Sequence, residues 1–222
     1  MIAMKKSEAR SRGRPRSFDR EAALETAMRL FWQHGYEATS LAQLTAAIGV
    51  SAPSLYAAFG DKEALFLQTV ARYQARGGDQ TQALWGDFTT AREAVASVLT
   101  ESAIRLTDPN YPRGCMVVLS AVSCSDEAAR VQQRLSACRA EWERQMKQRI
   151  ARGIAEGDVP ESADAGALAS FYMAVLQGMS LHAKDGASRE QLKQIGAAAL
   201  LAFPARALEK STKTKRKALA AR

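Results

Sequence analysis

Three groups of residues in this 222-residue chain have the types and spacing to do chemistry. Near the start, Arg12, Arg14 and Arg16 alternate with small residues in a segment that ends GRPRS. Guanidinium groups on an extended arm suit a narrow minor groove, whose negative potential attracts them. Farther on, Cys115 follows Gly114 and a Pro-bounded loop at what reads as a helix start, a position that lowers a thiol pKa and raises its reactivity. A buried, inert cysteine is the competing reading of the same residue. Third, Trp85, Phe88, Trp142, Tyr172 and Met173, with Met179, could line an apolar pocket for a small-molecule effector between helices, or could simply be core.

Catalytic and metal chemistry finds no support in the same sequence. There is no P-loop, GxSxG, HExxH or dinucleotide glycine pattern, and the carboxylates are scattered over polar helix faces. Two histidines and three cysteines without a CxxC pair make neither a metal cluster nor a disulfide framework. The expectation is a protein that is not an enzyme and needs no cofactor.

The elements that must position these groups are helical. Thr39 to Lys62, TSLAQLTAAIGVSAPSLYAAFGDK, holds two short helical patterns meeting at a Gly-Val-Ser corner. Ser40 and Gln43 have capping-box spacing, and Leu41, Leu44, Ala47 and Ile48 form one apolar stripe. Gly49 stops that helix, Ser51 caps the next, and Pro53 sits in its first turn, where the missing N–H costs little. This is a helix-turn-helix, too small to be stable alone.

A helix capped by Asp19 and stopped at Gly35 precedes it, and another starts at Asp61, broken near Arg76-Gly77-Gly78-Asp79. Helical patterns then cover about residues 90–107, 125–156, 163–184 and 188–203, with residues 113–119 either a short buried helix or a strand. Along the last two patterns Ala174, Gly178 and Ala183 are small enough for close helix approach, so this pair is the candidate dimer face. Its side chains would be Phe171, Val175, Gly178, Met179, Leu192 and Ile195; ordinary core is the alternative.

Charge is polarised along the chain. Residues 1–20 carry +5 and residues 204–222 carry +6, which leaves −3 for the body. Basic ends on a slightly acidic body are the pattern of nucleic-acid-seeking arms. The tail has no apolar period and is expected to be disordered. No apolar run approaches the roughly 20 residues of a membrane span and no signal peptide is evident, so a cytoplasmic protein with no membrane partner is expected.

The stretch GYEATSLAQLTAAIGVSAPSLYAAFGDKEAL, with the preceding helix and GRPR arm, resembles the DNA-binding domain of the TetR family of bacterial transcriptional regulators. The resemblance implies an all-α protein: a three-helix DNA-binding domain whose third helix enters the major groove, and a larger helical C-terminal domain for effector binding and dimerisation. The segments are then a basic arm (1–17), the DNA-binding domain (18–60), the C-terminal domain (61–203) and a basic tail (204–222). Position by position, the resemblance makes Thr39, Tyr56 and Lys62 phosphate contacts and sets Ser51, Ala52, Pro53 and Ser54 at the base-reading helix start. Hydroxyls, helix N-termini and a lysine suit those roles.

Two departures from the family pattern stand out. Pro53 is where Gly is frequent, and Ala57-Ala58 where an aromatic-His pair is common. Direct hydrogen-bond readout should therefore be sparse, with Ala52, Pro53 and Ala57 against thymine methyls and the Arg arm supplying specificity. RGCMVVLSAVSCSDEAAR also resembles a TetR subgroup in which a Gly-Cys at this place senses electrophiles or oxidants, which implies a sensing role for Cys115.

The function expected is a ligand- or thiol-responsive regulator, by resemblance a repressor. It would bind a palindromic double-stranded DNA operator as a homodimer and respond to a small-molecule effector or electrophile. The alternative is a non-specific architectural DNA-binding protein that uses its basic termini.

Overall fold

The computed structural model describes residues 19–86 and 88–204, with side chains described outside 78–86. Arg12, Arg14 and Arg16, the side chain of Trp85 and the C-terminal tail lie outside the described residues. Among those described there is no strand. The helices are α1 (Arg20–His34), α2 (Leu41–Ile48), α3 (Ala52–Phe59), α4 (Lys62–Gly86), α5 (Ala91–Arg105), α6 (Met116–Leu119), α7 (Ala129–Glu156), α8 (Ala165–Lys184) and α9 (Arg189–Leu200).

The helix ends follow the local chemistry. Asp19 accepts from the N–H groups of Glu21 and Ala22, Ser40 and Gln43 form a full capping box, and Ser51 accepts from the N–H of Ser54. Gly49, at φ 78°, ends α2 in the left-handed conformation that costs glycine least. Two expectations change. Helix α4 does not break at residues 76–79 but runs to Gly86. Two mid-helix glycines cost about 1 kcal/mol each, yet a Cβ on Gly77 would stand 3.2 Å from the Arg105 guanidinium of α5, so packing favours the bare backbone there. The ambiguous apolar run at 113–119 becomes one helical turn, α6, too short for periodicity to identify.

One buried cluster runs through the described residues from Ala23 to Phe203. Helices α1 and α4 share Met28, Phe31, Trp32, Leu65, Phe66 and Val70, with the Phe31 and Phe66 rings edge-on at 5.1 Å. On the solvent side of this pair Glu25 receives Arg29, Arg72 and Arg76. Burial pushes the Glu25 carboxyl upward, but the Arg72 and Arg76 hydrogen bonds outweigh it and hold the group below its usual range. In the C-terminal part α5, α7, α8 and α9 enclose Val95, Leu99, Leu135, Met146, Ile150, Tyr172, Met179 and Leu192.

This core corrects part of the expected dimer face. Met179 and Leu192 are wholly buried within the single chain and so are unavailable to a partner. Val175 and Ile195 are half-buried, while Phe171 is exposed and Gly178 faces open space. Helix α8 is apolar nearly all round, so its period cannot say which stripe meets the core and which remains outside.

Gly114 is a tight backbone position between α6 and α8. Its φ is +84°, and a Cβ there would stand 2.5 Å from Leu119 Cδ1 and 3.0 Å from the Ser180 carbonyl oxygen. Gly114→Ala should destabilise the fold by about 2–4 kcal/mol, from left-handed strain plus overpacking. A urea unfolding midpoint equal to wild type would contradict this.

Candidate nucleic-acid interface

Helices α2 and α3 meet at an angle of 91° across the Gly49–Ser51 corner. Leu44, Leu55 and Phe59 anchor them to the core from within. The outward side of α3 is then free: Ser51, Pro53, Ser54, Tyr56 and Ala57 are exposed and Ala52 is half-buried. Tyr56, at 43% exposure, projects its ring from this face. Ser51 and Ser54 share a hydrogen bond between their hydroxyls at 2.9 Å, at the positive end of the helix dipole. An exposed eight-residue helix with hydroxyls at its N-terminus and a phenol one turn on is shaped to enter a groove and grip phosphate oxygens.

Lys62 begins α4 beside this face. Its ammonium donates to the Glu37 carbonyl at 3.3 Å and lies 4.6 Å from the centre of the Tyr36 ring. Partial burial lowers its pKa. An ammonium has three donors, so two N–H groups remain for a phosphate.

Thr39 is placed otherwise than the sequence reading expects. It is fully buried, and its hydroxyl donates to the Gly35 carbonyl at 2.7 Å. From that position it closes the α1–α2 turn and presents no hydroxyl to a phosphate.

Cys115 also needs correction. It occupies the N-cap position of α6, but a single-turn helix carries little dipole, and burial pushes the thiol pKa up. The Tyr73 hydroxyl donates to its sulfur at 3.3 Å, and its own N–H donates to Ser180 Oγ at 2.8 Å. Burial likewise raises the Tyr73 hydroxyl well above its ordinary value. Cys115 thus sits where α4, α6 and α8 meet, with Trp32 of α1 donating its indole N–H to the neighbouring Gly114 carbonyl.

Among the described side chains, Phe88, Trp142, Tyr172 and Met173 do not line the cleft that the structure shows. Tyr172 is wholly buried, with its hydroxyl on the Ala199 carbonyl and its pKa pushed up to about 12 by burial. Met173 is buried, and Phe88 and Trp142 are half-buried. A cleft of about 330 Å³ lies elsewhere, between residues 34–38 and 119–124, walled by Tyr36, Glu37, Ser120, Val122 and Cys124. Among the described residues no group of three or more His, Cys, Asp or Glu could hold a metal, and no single helix is long and apolar enough to cross a membrane.

Sequence reasoning missed Tyr36, Glu37, Tyr73, Ser120 and Ser125. The Tyr73–Cys115, Tyr36–Ser120 and Glu37–Ser125 pairs are 42 to 88 residues apart, beyond any periodic signal. Native-state alkylation followed by peptide mass mapping should modify half-buried Cys124 before Cys115 near neutral pH. The Cys115 rate should climb as pH rises and fall in Tyr73→Phe, because the phenol hydrogen bond favours the thiolate. Faster labelling of Cys115 than of Cys124 would contradict the burial argument.

Residues 23–69 match the family described as bacterial regulatory proteins, tetR family, and residues 91–199 match the tetracyclin repressor-like C-terminal domain. The HTH-type transcriptional repressor ComR of Escherichia coli K12 is 40% identical over 196 residues, covering 88% of this chain and 93% of ComR. The HTH-type transcriptional repressor BdcR of the same strain is 34% identical, covering 84% and 90%. Among solved structures, a cysteine-substituted form of the TetR family regulator CifR, complexed with 26-bp double-strand operator DNA, is similar at TM-score 0.82 and 45% identity. That match covers 86% of this chain and all of the CifR chain. The two-part match over the helix-turn-helix and the C-terminal helices, and the identity to ComR over most of both chains, assign this chain to the TetR family of bacterial regulatory proteins.

Proposed function

We propose that the protein is a transcriptional repressor that binds a palindromic operator as a homodimer and releases it when its C-terminal domain meets a small effector or when Cys115 is modified. The observation that carries this reading is the free outward face of α3, flanked by Lys62 at the start of α4. The likeness to CifR, whose solved complex contains operator DNA, supports it. The recognition surface is poor in groups able to make bidentate bonds to bases, so Ala52, Pro53 and Ala57 supply apolar contacts and the arm bearing Arg12, Arg14 and Arg16 reads groove width.

Dimerisation uses the outer stripe of α8 and the end of α9. Phe171, Leu181 and Leu201 are 41, 54 and 85% exposed, large apolar side chains on the same helix pair. Gly178, with nothing within 4 Å of its missing Cβ, lets a second helix approach closely. An operator with two half-sites demands this symmetry, because each half-site takes one α3. Modification of Cys115 would add atoms at the sulfur on which the Tyr73 hydroxyl rests, so α4, which leads from the DNA-binding helices, could no longer sit as it does against the start of α6.

The test begins by selecting duplexes from a random pool on the purified protein and titrating them against random DNA over a range of salt. Specific duplexes should bind at least about a thousandfold more tightly; equal affinity would overturn the repressor reading in favour of non-specific architectural binding. Lys62→Ala should weaken all duplexes alike and reduce the salt slope by about one unit per protomer. Leu181→Glu should shift the protein toward monomer in light scattering and weaken the selected duplex by more than about tenfold, since one half-site alone loses the avidity of two. A dimer of unchanged stability would move the interface elsewhere.

A further inference from the structure

The cleft between residues 34–38 and 119–124 separates the DNA-binding helices from the segment that follows Cys115, and hydrogen bonds cross it at defined points. The Tyr36 N–H donates to the Ser120 carbonyl at 2.8 Å. The Ser120 hydroxyl donates to the Phe31 carbonyl. The Glu37 carboxylate oxygen Oε1 accepts from both the N–H and the hydroxyl of Ser125, at 2.8 and 2.7 Å. Gly35 allows this approach: its φ is +86°, and a Cβ there would stand 3.2 Å from the Ser120 carbonyl oxygen.

The same two residues that reach across the cleft hold Lys62 on their other side. The Tyr36 ring lies under the ammonium and the Glu37 carbonyl accepts from it. A lysine on a free four-carbon stem loses rotamer entropy when it is fixed on a phosphate. One already held by a ring and a carbonyl, with two N–H groups left over, loses less. That holding depends on the Tyr36–Glu37 backbone staying in place, and outside its own helix–turn segment the backbone is pinned by Ser120 and Ser125.

We propose that Glu37 and Ser125 are positioning residues for the DNA contact of Lys62: the Glu37–Ser125 bonds fix the turn that pre-organises the lysine, so the C-terminal domain controls a phosphate contact through them. The proposal rests on Lys62 being a phosphate contact. It adds a route from the 115–125 segment to the DNA that requires no change in the separation of the two recognition helices. The Glu37 side chain is exposed, and its carboxylate is held below the usual range by the two Ser125 bonds, so it is ionised while it holds Ser125. Being anionic and near bound phosphates, it repels DNA weakly, so a bare gain of affinity on its removal is the outcome that a merely electrostatic role would produce.

The salt dependence of binding separates these roles, because a lysine that no longer reaches its phosphate releases fewer counterions and flattens the slope, whereas a change of stability leaves the slope alone. Glu37→Ala, Glu37→Gln, Ser125→Ala, Lys62→Ala and the Glu37→Ala/Lys62→Ala double variant are titrated on a labelled duplex recovered by selection on the wild-type protein, with thermal melts as the folding control. Glu37→Ala should bind about three- to tenfold more weakly, with a slope reduced by about one unit per protomer, and the double variant should match Lys62→Ala alone. Glu37→Gln keeps an acceptor on the same atom and should retain most of the wild-type slope, and Ser125→Ala, which keeps the N–H bond, should fall between. A wild-type slope in Glu37→Ala, tighter binding by it, or a slope for the double variant below that of Lys62→Ala overturns the proposal. A wild-type slope in Lys62→Ala removes instead the phosphate role of Lys62, and the proposal falls with it.

Discussion

The indole N–H of Trp32 donates to the Gly114 carbonyl at 2.8 Å, while the Trp32 ring meets the Tyr73 ring edge-on at 4.8 Å and stacks on Tyr111 at 5.7 Å. Helix α1, helix α4 and the loop leading to α6 are thereby held to one point. Gly114 itself can occupy that point only without a side chain, wedged between Leu119 and Ser180 of α8. Were this junction to loosen, the DNA-binding helices would lose much of their attachment to the body, because α2 packs on α1 and α3 on α4. A buried N–H left unpaired there would cost about 1–3 kcal/mol, and the packing around it would be lost as well.

Around that junction the molecule divides its polar groups by use. Arg113 and Lys184 donate to main-chain carbonyls at helix ends, Arg113 to Ala183 and Lys184 to Gln33. Arg139 donates to the Val117 carbonyl of α6. The carboxylate of Glu25 draws three arginines onto the α1–α4 seam. Lys184 and Lys62 each donate one bond to a carbonyl, so what sets Lys62 apart is its place in the chain, at the start of α4 directly after the helix that presents Ser51, Ser54 and Tyr56 at the surface.

Much of the reading head is legible from residue order alone. Asp19, Ser40 and Ser51 cap the helices that their spacing predicts, Gly35 and Gly49 stop theirs, and Leu55 and Phe59 turn inward. These are short-range effects, set by hydrogen bonds three residues apart and by a missing Cβ. Thr39 departs from its expected role because its hydroxyl finds the Gly35 carbonyl, an equally short-range option that the spacing does not rank. The continuation of α4 through Gly77 and Gly78 is hidden because a glycine's local penalty can be overruled by what packs beside it.

The helical class, the caps, the corner between α2 and α3 and the family can be read from residue order, since each follows from local spacing or from a motif contiguous in the chain. Which stripe of α8 faces outward, the core placement of Met179 and Leu192, and the raised rather than lowered Cys115 thiol come from packing alone. It alone brought Glu37 to Ser125 and Tyr73 to Cys115. Burial, desolvation and contacts across tens of residues are properties of the assembled packing, and no local period in the chain encodes them.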